Sequence, residues 1–168
     1  MPELPEVEVT RLGLKPLLKL KVGKVIIRNH SLRWPINSAL PELLKNQMLL
    51  GLSRRGKYIL AKFTSGTLII HLGMSGRLCI VSIGNELNKH DHVDIHFMKK
   101  NLILRYRDPR RFGSILWTEN DPYIHKLIKN LGPEPLNKEF DAKYLFSRLR
   151  NKQQCIKNAI MDSHVVVG

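Results

Sequence analysis

Between Lys24 and Thr118 the chain is written as short runs of β-branched or alternating apolar residues, each closed within a few positions by a turn signal. The eight runs are Lys24–Arg28, Leu50–Arg54, Tyr58–Phe63, Thr67–Leu72, Arg77–Val81, His92–Phe97, Leu102–Arg107 and Ser114–Thr118. The signals include Gly56, Ser65-Gly66, Gly73, Gly84-Asn85, Lys100-Asn101 and Asp108-Pro109. Strands this short and this often reversed predict a mainly β domain, a sandwich or a barrel. One helical stretch near Leu40–Asn46 interrupts them. Val7, Val9, Leu12, Leu14, Leu17 and Leu18 predict an N-terminal helix that opens behind Pro5 and runs to about Leu18, with Gly13 and Pro16 as interruptions.

After Gly132-Pro133-Glu134-Pro135 the texture changes. Lys138–Arg150 and Gln154–Met161 have helical spacing and no strand pattern, so Pro133–Leu136 is expected to link a β domain (1–132) to a helical segment (133–168). The chain closes on Val165-Val166-Val167-Gly168. Three apolar residues with nothing following to cover them predict that the second unit is incomplete.

Charge then narrows the partner. Lys and Arg number 28 against 14 Asp and Glu, a formal net charge of +14, which asks for an anionic partner, nucleic acid first. The 43% apolar content is that of a globular core and argues against a disordered basic tail. Cys79 and Cys155 are too few for a disulfide scaffold or a four-cysteine zinc site. No apolar run approaches the roughly 18 residues of a membrane span, and the acidic, proline-containing N-terminus is unlike a signal region. A soluble, monomeric protein of a reducing compartment is expected, with no metal or other cofactor in this chain.

Met1-Pro2-Glu3-Leu4-Pro5-Glu6-Val7-Glu8 supports two readings. It is a good helix start, with proline tolerated before the first turn and acids favoured by the macrodipole. It is also a candidate nucleophile. With Met1 removed, Pro2 offers an α-amine that titrates near 8 in short peptides, so it is more often neutral at pH 7 than a lysine. Glu3 beside it is able to shuttle protons. Lys57, taken by itself, is an ordinary solvated lysine, and Met74 and Phe112 are equally consistent with a turn apolar and a core residue. Strand alternation puts His90, His92 and His96 on one face, but no fourth matched ligand accompanies them. Asp91 and Asp94 are expected to hold a turn there, not a zinc ion.

Five motifs follow in order: Pro2-Glu3-Leu4-Pro5-Glu6-Val7-Glu8, His71-Leu72-Gly73-Met74-Ser75-Gly76, Lys89-His90-Asp91-His92-Val93-Asp94, Asp108-Pro109-Arg110-Arg111-Phe112-Gly113 and Leu131-Gly132-Pro133-Glu134-Pro135-Leu136. Together they resemble the bacterial formamidopyrimidine-DNA glycosylases, and the likeness runs essentially end to end. It implies an eight-stranded β-sandwich with an N-terminal helix. It also implies a base-excision repair enzyme that removes oxidised purines such as 8-oxoguanine and formamidopyrimidines, then cleaves the abasic strand as a lyase. By that resemblance Pro2 attacks C1′ and forms a Schiff base, Glu3 transfers protons at the sugar, and Lys57 is a proton donor in strand elimination. Met74, Arg110 and Phe112 match residues that fill the stack vacated by a flipped base. His90, Arg110 and Lys152 match DNA-contacting positions, with His71, Arg111 and Lys157 as further phosphate ligands. The expected partner is double-stranded DNA carrying oxidised purines or abasic sites, in the bacterial cytoplasm at the nucleoid.

The family's recognition helix, its phosphate-binding asparagine and its four-cysteine zinc finger have no counterpart before Gly168, so the structural zinc is not expected here. A basic β domain that only holds DNA, through Arg54, Arg55, Arg105, Arg107, Arg110 and Arg111, therefore stays open as an alternative. An RNA-binding protein of ribosomal type explains the charge but not the ordered motifs.

Overall fold

The computed structural model describes residues 1–168 and forms eight strands where the alternating runs fall. They are β1 (Val22–Ile27), β2 (Leu49–Arg55), β3 (Tyr58–Phe63), β4 (Thr67–His71), β5 (Arg77–Ser82), β6 (Asp91–Phe97), β7 (Leu102–Arg107) and β8 (Ser114–Thr118). All pairings are antiparallel, in two four-stranded sheets ordered β1-β6-β7-β5 and β2-β3-β4-β8. One sheet turns Val22, Val25, Val93, Ile95, Phe97, Leu104 and Tyr106 inward, and the other turns Leu49, Ile59, Ala61, Phe63, Leu68, Ile70 and Ile115 to meet them. The period-2 alternation of the sequence is the alternation between this shared core and the outer faces.

Helix α1 (Leu4–Gly13) opens at Glu3, whose backbone N–H donates to Glu6 Oε2 at 2.7 Å. It stops at Gly13 instead of reaching Leu18. Pro16 has no N–H to continue the ladder, and the chain tightens into a 3₁₀ turn over Lys15–Leu17. Val7 lies buried in the sandwich core, whereas Val9 and Leu12 are exposed. Helix α2 (Leu40–Leu44) buries Leu40 and Leu44 in the same core.

The C-terminal helices are shorter than predicted. Asp141 accepts from the Tyr144 N–H at 2.7 Å and starts α3 (Ala142–Leu149) four residues late, and α4 spans Ile156–Ile160. The valine run differs more. Val165 and Val167 are 0% and 2% exposed, because Gly132 N–H donates to Ser163 O at 2.8 Å and Val167 N–H to Pro133 O at 3.1 Å. The chain itself covers these valines, laying them along the Gly132–Pro133 segment and against Gly56. No helix is long and apolar enough to cross a membrane.

A register shift between Asp91 and Val93 breaks the alternation that would set His90, His92 and His96 on one face. His92 is buried, with Nε2 donating to Asp108 O at 2.8 Å. Asp91 and Asp94 do more than hold a turn. Arg105 bonds Asp94 through Nε (2.9 Å) and Nη2 (3.0 Å), Arg107 Nε bonds Asp91 at 2.6 Å, and Arg28 Nη2 reaches Asp94 at 2.7 Å. Burial pushes both carboxyls up, but these guanidiniums together outweigh it and hold them below the usual carboxylate range.

Candidate active site

Three of the predicted residues meet at the start of α1. The hairpin between β2 and β3 has two residues, Gly56 and Lys57. Gly56 has φ +55°, the sign a type II′ turn asks of its first central residue. That turn aims Lys57 at the helix start, and its Nζ lies 2.6 Å from Glu3 Oε2. The lysine side chain is 18% exposed and the glutamate 56%. The pair is therefore covered on the lysine side and open on the glutamate side.

Pro2 stands next in line, its nitrogen occupied by the Met1 peptide bond. Met1 lines three adjacent cavities. One of about 660 Å³ is bordered by Arg33, His71, Met74, Arg110 and Phe112. A second of about 710 Å³ contains Pro2, Thr10 and Arg77, and a third of about 290 Å³ contains Lys57, Tyr58 and His71. Met1 is thus the residue at their junction. Its removal turns an amide nitrogen into a free amine at the place where the cavities meet.

The resemblance's stack-filling residues also come together. Met74 and Phe112 are 42% and 47% exposed, and the Arg110 guanidinium lies 4.9 Å from the Phe112 ring centroid. Two turns carry them. Gly73, at φ +64°, lets the first turn press on the second, since a Cβ there would collide with the Phe112 carbonyl group. Asp108, fully buried, ties them together: Oδ1 accepts from Ser75 Oγ at 2.6 Å, and Oδ2 accepts from Tyr106 Oη at 3.0 Å and from Gly113 N–H at 2.9 Å. Ser75 Oγ in turn accepts from the Arg110 N–H at 3.2 Å. Phe112 is thus not a core residue, and Met74 is held by more than its own turn.

His71 accepts from Gly73 N–H at Nδ1 (3.0 Å), which leaves its proton on Nε2, and its ring lies 4.8 Å from that of Tyr58. Burial first, then the charges of Arg33 and Lys57, lower its pKa to about 4. It is neutral at pH 7 and presents its Nε2–H as an uncharged hydrogen-bond donor. Arg111 lines the same cavity as Phe112 and has φ +57°. His90 lies outside these cavities, joined to the Asp108 loop through Asp108 N–H donating to His90 O at 3.1 Å. Lys152 and Lys157 are exposed on the helical segment and line none of the three.

Two readings of the basic residues change. Arg54, Arg55 and Arg105 are largely covered and engaged by Glu8, Glu134, Asp91 and Asp94, whereas Arg107, paired with Asp91, stays 39% exposed and borders the cavity that contains Pro2. Arg33, which no motif marked, borders both the Met74–Phe112 cavity and the Lys57 cavity, brought there by its N–H donating to Gly113 O at 3.1 Å. The only signal for it was an arginine beside Trp34-Pro35. As to a zinc site, both cysteines are exposed and no three His, Cys, Asp or Glu side chains converge, so the donor set does not fit that ion.

Residues 1–115 match the formamidopyrimidine-DNA glycosylase N-terminal domain. The chain is 53% identical over 168 residues to a formamidopyrimidine-DNA glycosylase of Methylobacillus flagellatus, covering all of this chain and 60% of that protein. It is 53% identical to that of Saccharophagus degradans, with 62% of that protein covered. The chain thus spans about 60% of the length of these curated relatives. Among solved structures, the Lactococcus lactis enzyme bound non-covalently to DNA with an AP site superposes with a TM-score of 0.87 at 31% identity, over 99% of this chain and 65% of that one. The same enzyme with DNA containing N7-benzyl-Fapy-dG gives 0.89 at 31% identity, over 99% and 62%.

Proposed function

We propose that this chain, which belongs to the formamidopyrimidine-DNA glycosylase family, excises oxidised purines from duplex DNA and cleaves the abasic strand through a Schiff base on Pro2. The observation that carries this is the 2.6 Å Lys57–Glu3 pair set beside the N-terminus, in cavities joined through Met1, Arg33 and His71 to the exposed Met74, Arg110 and Phe112. The chemistry follows from those groups. The neutral Pro2 amine attacks C1′, the glycosidic bond breaks, and the base departs with a proton for which the Lys57 ammonium is the nearby acid, an earlier step than the strand elimination to which the resemblance assigns this lysine. Glu3 moves protons at the opened sugar; the iminium on Pro2 acidifies the C2′–H, loss of that proton forms the C2′=C3′ bond as the 3′ phosphate leaves, and water then hydrolyses the iminium to return the amine. Met74, Phe112 and Arg110 enter the duplex where the base leaves, Arg110 bonding the orphaned cytosine. Arg33, Arg111, His71, His90, Lys152 and Lys157 contact phosphates. The same proposal divides the chain near residue 132 and places the protein with the bacterial chromosome.

A 30-base-pair duplex with one 8-oxoguanine opposite cytosine, compared with the undamaged duplex near physiological salt, tests it. Release of the oxidised base with a nick at that position, and neither event on the control, is the expected result. Equal, steeply salt-dependent binding of both duplexes with no incision would show a DNA-holding protein instead.

A further inference from the structure

Glu134 sits in a segment whose composition marks only a linker, yet its carboxylate is mostly covered and every contact points to the Lys57 turn. Oε1 accepts from Gly56 N–H at 2.7 Å and from Arg55 Nη1 at 3.1 Å, and Oε2 accepts from Arg54 Nη1 at 2.7 Å. The same Arg54 nitrogen donates to Gly56 O at 2.8 Å. Both polar groups of Gly56, the residue before Lys57, are thereby fixed through one carboxylate. Arg55 Nη2 completes the clamp on Leu131 O (2.8 Å) and Gly132 O (2.6 Å).

From the other side, Arg54 Nε reaches Glu8 Oε2 at 3.1 Å, and Glu8 is held by Arg11 through two bonds of 2.6 and 3.0 Å. Glu8 is on α1, the helix that begins at Glu3. A chain of charges, Glu8–Arg54–Glu134–Arg55, therefore runs behind the 2.6 Å pair and connects the element carrying each member. Arg11 above all holds Glu8 down to about 2. At Glu134 burial raises the pKa, but the Gly56 N–H and the two arginines outweigh it. Both carboxylates stay ionised at neutral pH. Glu134 borders a cavity with Tyr123 and Asn137 and none of those that Met1 lines, so it does not touch the reacting atoms.

We propose that Glu134 is a positioning residue that sets Lys57 against Glu3, an inference that rests on the excision chemistry assigned to that pair above. A two-residue turn held only by its ladder is free to rock, and a shift of about 1 Å at a proton-transfer group costs about 100-fold in rate.

The test uses the full chain, with single-turnover release of 8-oxoguanine and nicking of a preformed abasic site measured separately. Glu134→Gln is expected to slow base release by about 10- to 100-fold and to leave abasic nicking within about threefold, reproducing the split expected for Lys57→Ala. Added to Lys57→Ala it should cost nothing further, because both remove one function. Equal loss on both substrates, additive loss, or no loss overturns the proposal. Should Glu134→Gln not fold, Arg55→Lys keeps the charge, loses the fork on Leu131 and Gly132, and should give the same split at smaller size. A readout without activity separates this from the functional reading. In reductively ¹³C-methylated protein the Lys57 resonance should move in Glu134→Gln and not in the control at exposed Glu42, Glu42→Gln. An unmoved resonance overturns the positioning role whatever the activity, whereas a moved resonance in a chain that releases no base overturns the excision chemistry instead.

Discussion

Lys57→Ala is expected to slow release of an oxidised purine by about 10²- to 10⁴-fold, the range over which a positioned acid or base acts, while nicking of a preformed abasic site falls far less. The asymmetry follows from what leaves. A purine departs as an anion unless a proton reaches it, and Lys57, 2.6 Å from Glu3 and mostly covered, is the acid in place. An abasic site has no base to expel. Glu3→Gln keeps the size and the contact to Lys57 but removes the proton acceptor, so excision should fall by a similar factor with DNA affinity largely kept. Excision and binding measured on the same preparations decide it. Equal loss on both substrates for Lys57→Ala would mean that the lysine only holds DNA, and lost affinity in Glu3→Gln would mean that the glutamate organises the surface and moves no proton.

The largest effect on stability is expected at Asp108. Asp108→Ala leaves the Ser75 hydroxyl, the Tyr106 hydroxyl and the Gly113 N–H without their acceptor in a buried site, each worth about 1–3 kcal/mol. A loss of about 3–5 kcal/mol and a fall in Tm on the order of 10 °C follow. Asp108→Asn should cost about 1–2 kcal/mol only. Its amide oxygen serves Tyr106 and Gly113, and its NH₂ finds Ser75 Oγ, a hydroxyl that turns to accept. Because Asp108 joins the turn of Met74 to the turn of Arg110 and Phe112, Asp108→Ala should also lower discrimination between damaged and intact duplex, at temperatures where the variant is still folded. Thermal melts and paired titrations measure both. An Asp108→Ala protein as stable and as selective as its parent would show that the two turns are not coupled through this carboxylate.

What the sequence revealed and what it hid both have physical causes. Tyr58–Phe63, Leu102–Arg107 and Ser114–Thr118 are placed to the residue because each is a short, largely apolar run closed by turn residues, and burial of such a run is what makes it a strand. A single-residue bulge has no signature in a period-2 pattern, so the shift at Asp91/Val93 was invisible, and with it the ion cluster on Arg105. Asp108-Pro109 reads as a turn signal whether or not its carboxylate gathers three donors. Arg54 and Arg55 count as free charge until Glu134, some eighty residues on, is seen to hold them. Pro2, Glu3 and Lys57 were legible as a set only through the ordered motifs. Their spacing of more than fifty residues carries no contact information, and it takes the β2–β3 hairpin to bring Lys57 to the helix start.

The central claim is that the Pro2 amine is the nucleophile, and Met1 makes it testable. An amine titrating near 8 is neutral in about one molecule in ten at pH 7, against fewer than one in a thousand for a free lysine, whereas Pro2 behind Met1 is an amide with no nucleophilic lone pair. The chain should be prepared in two forms, one beginning at Pro2 and one retaining Met1, each verified by mass. Both are incubated with a duplex carrying one abasic site in the presence of borohydride. One covalent DNA adduct per chain is expected for the Pro2 form, mapped to the N-terminal peptide, and none for the Met1 form. Equal trapping of the two forms, or an adduct mapped to Lys57, would contradict it.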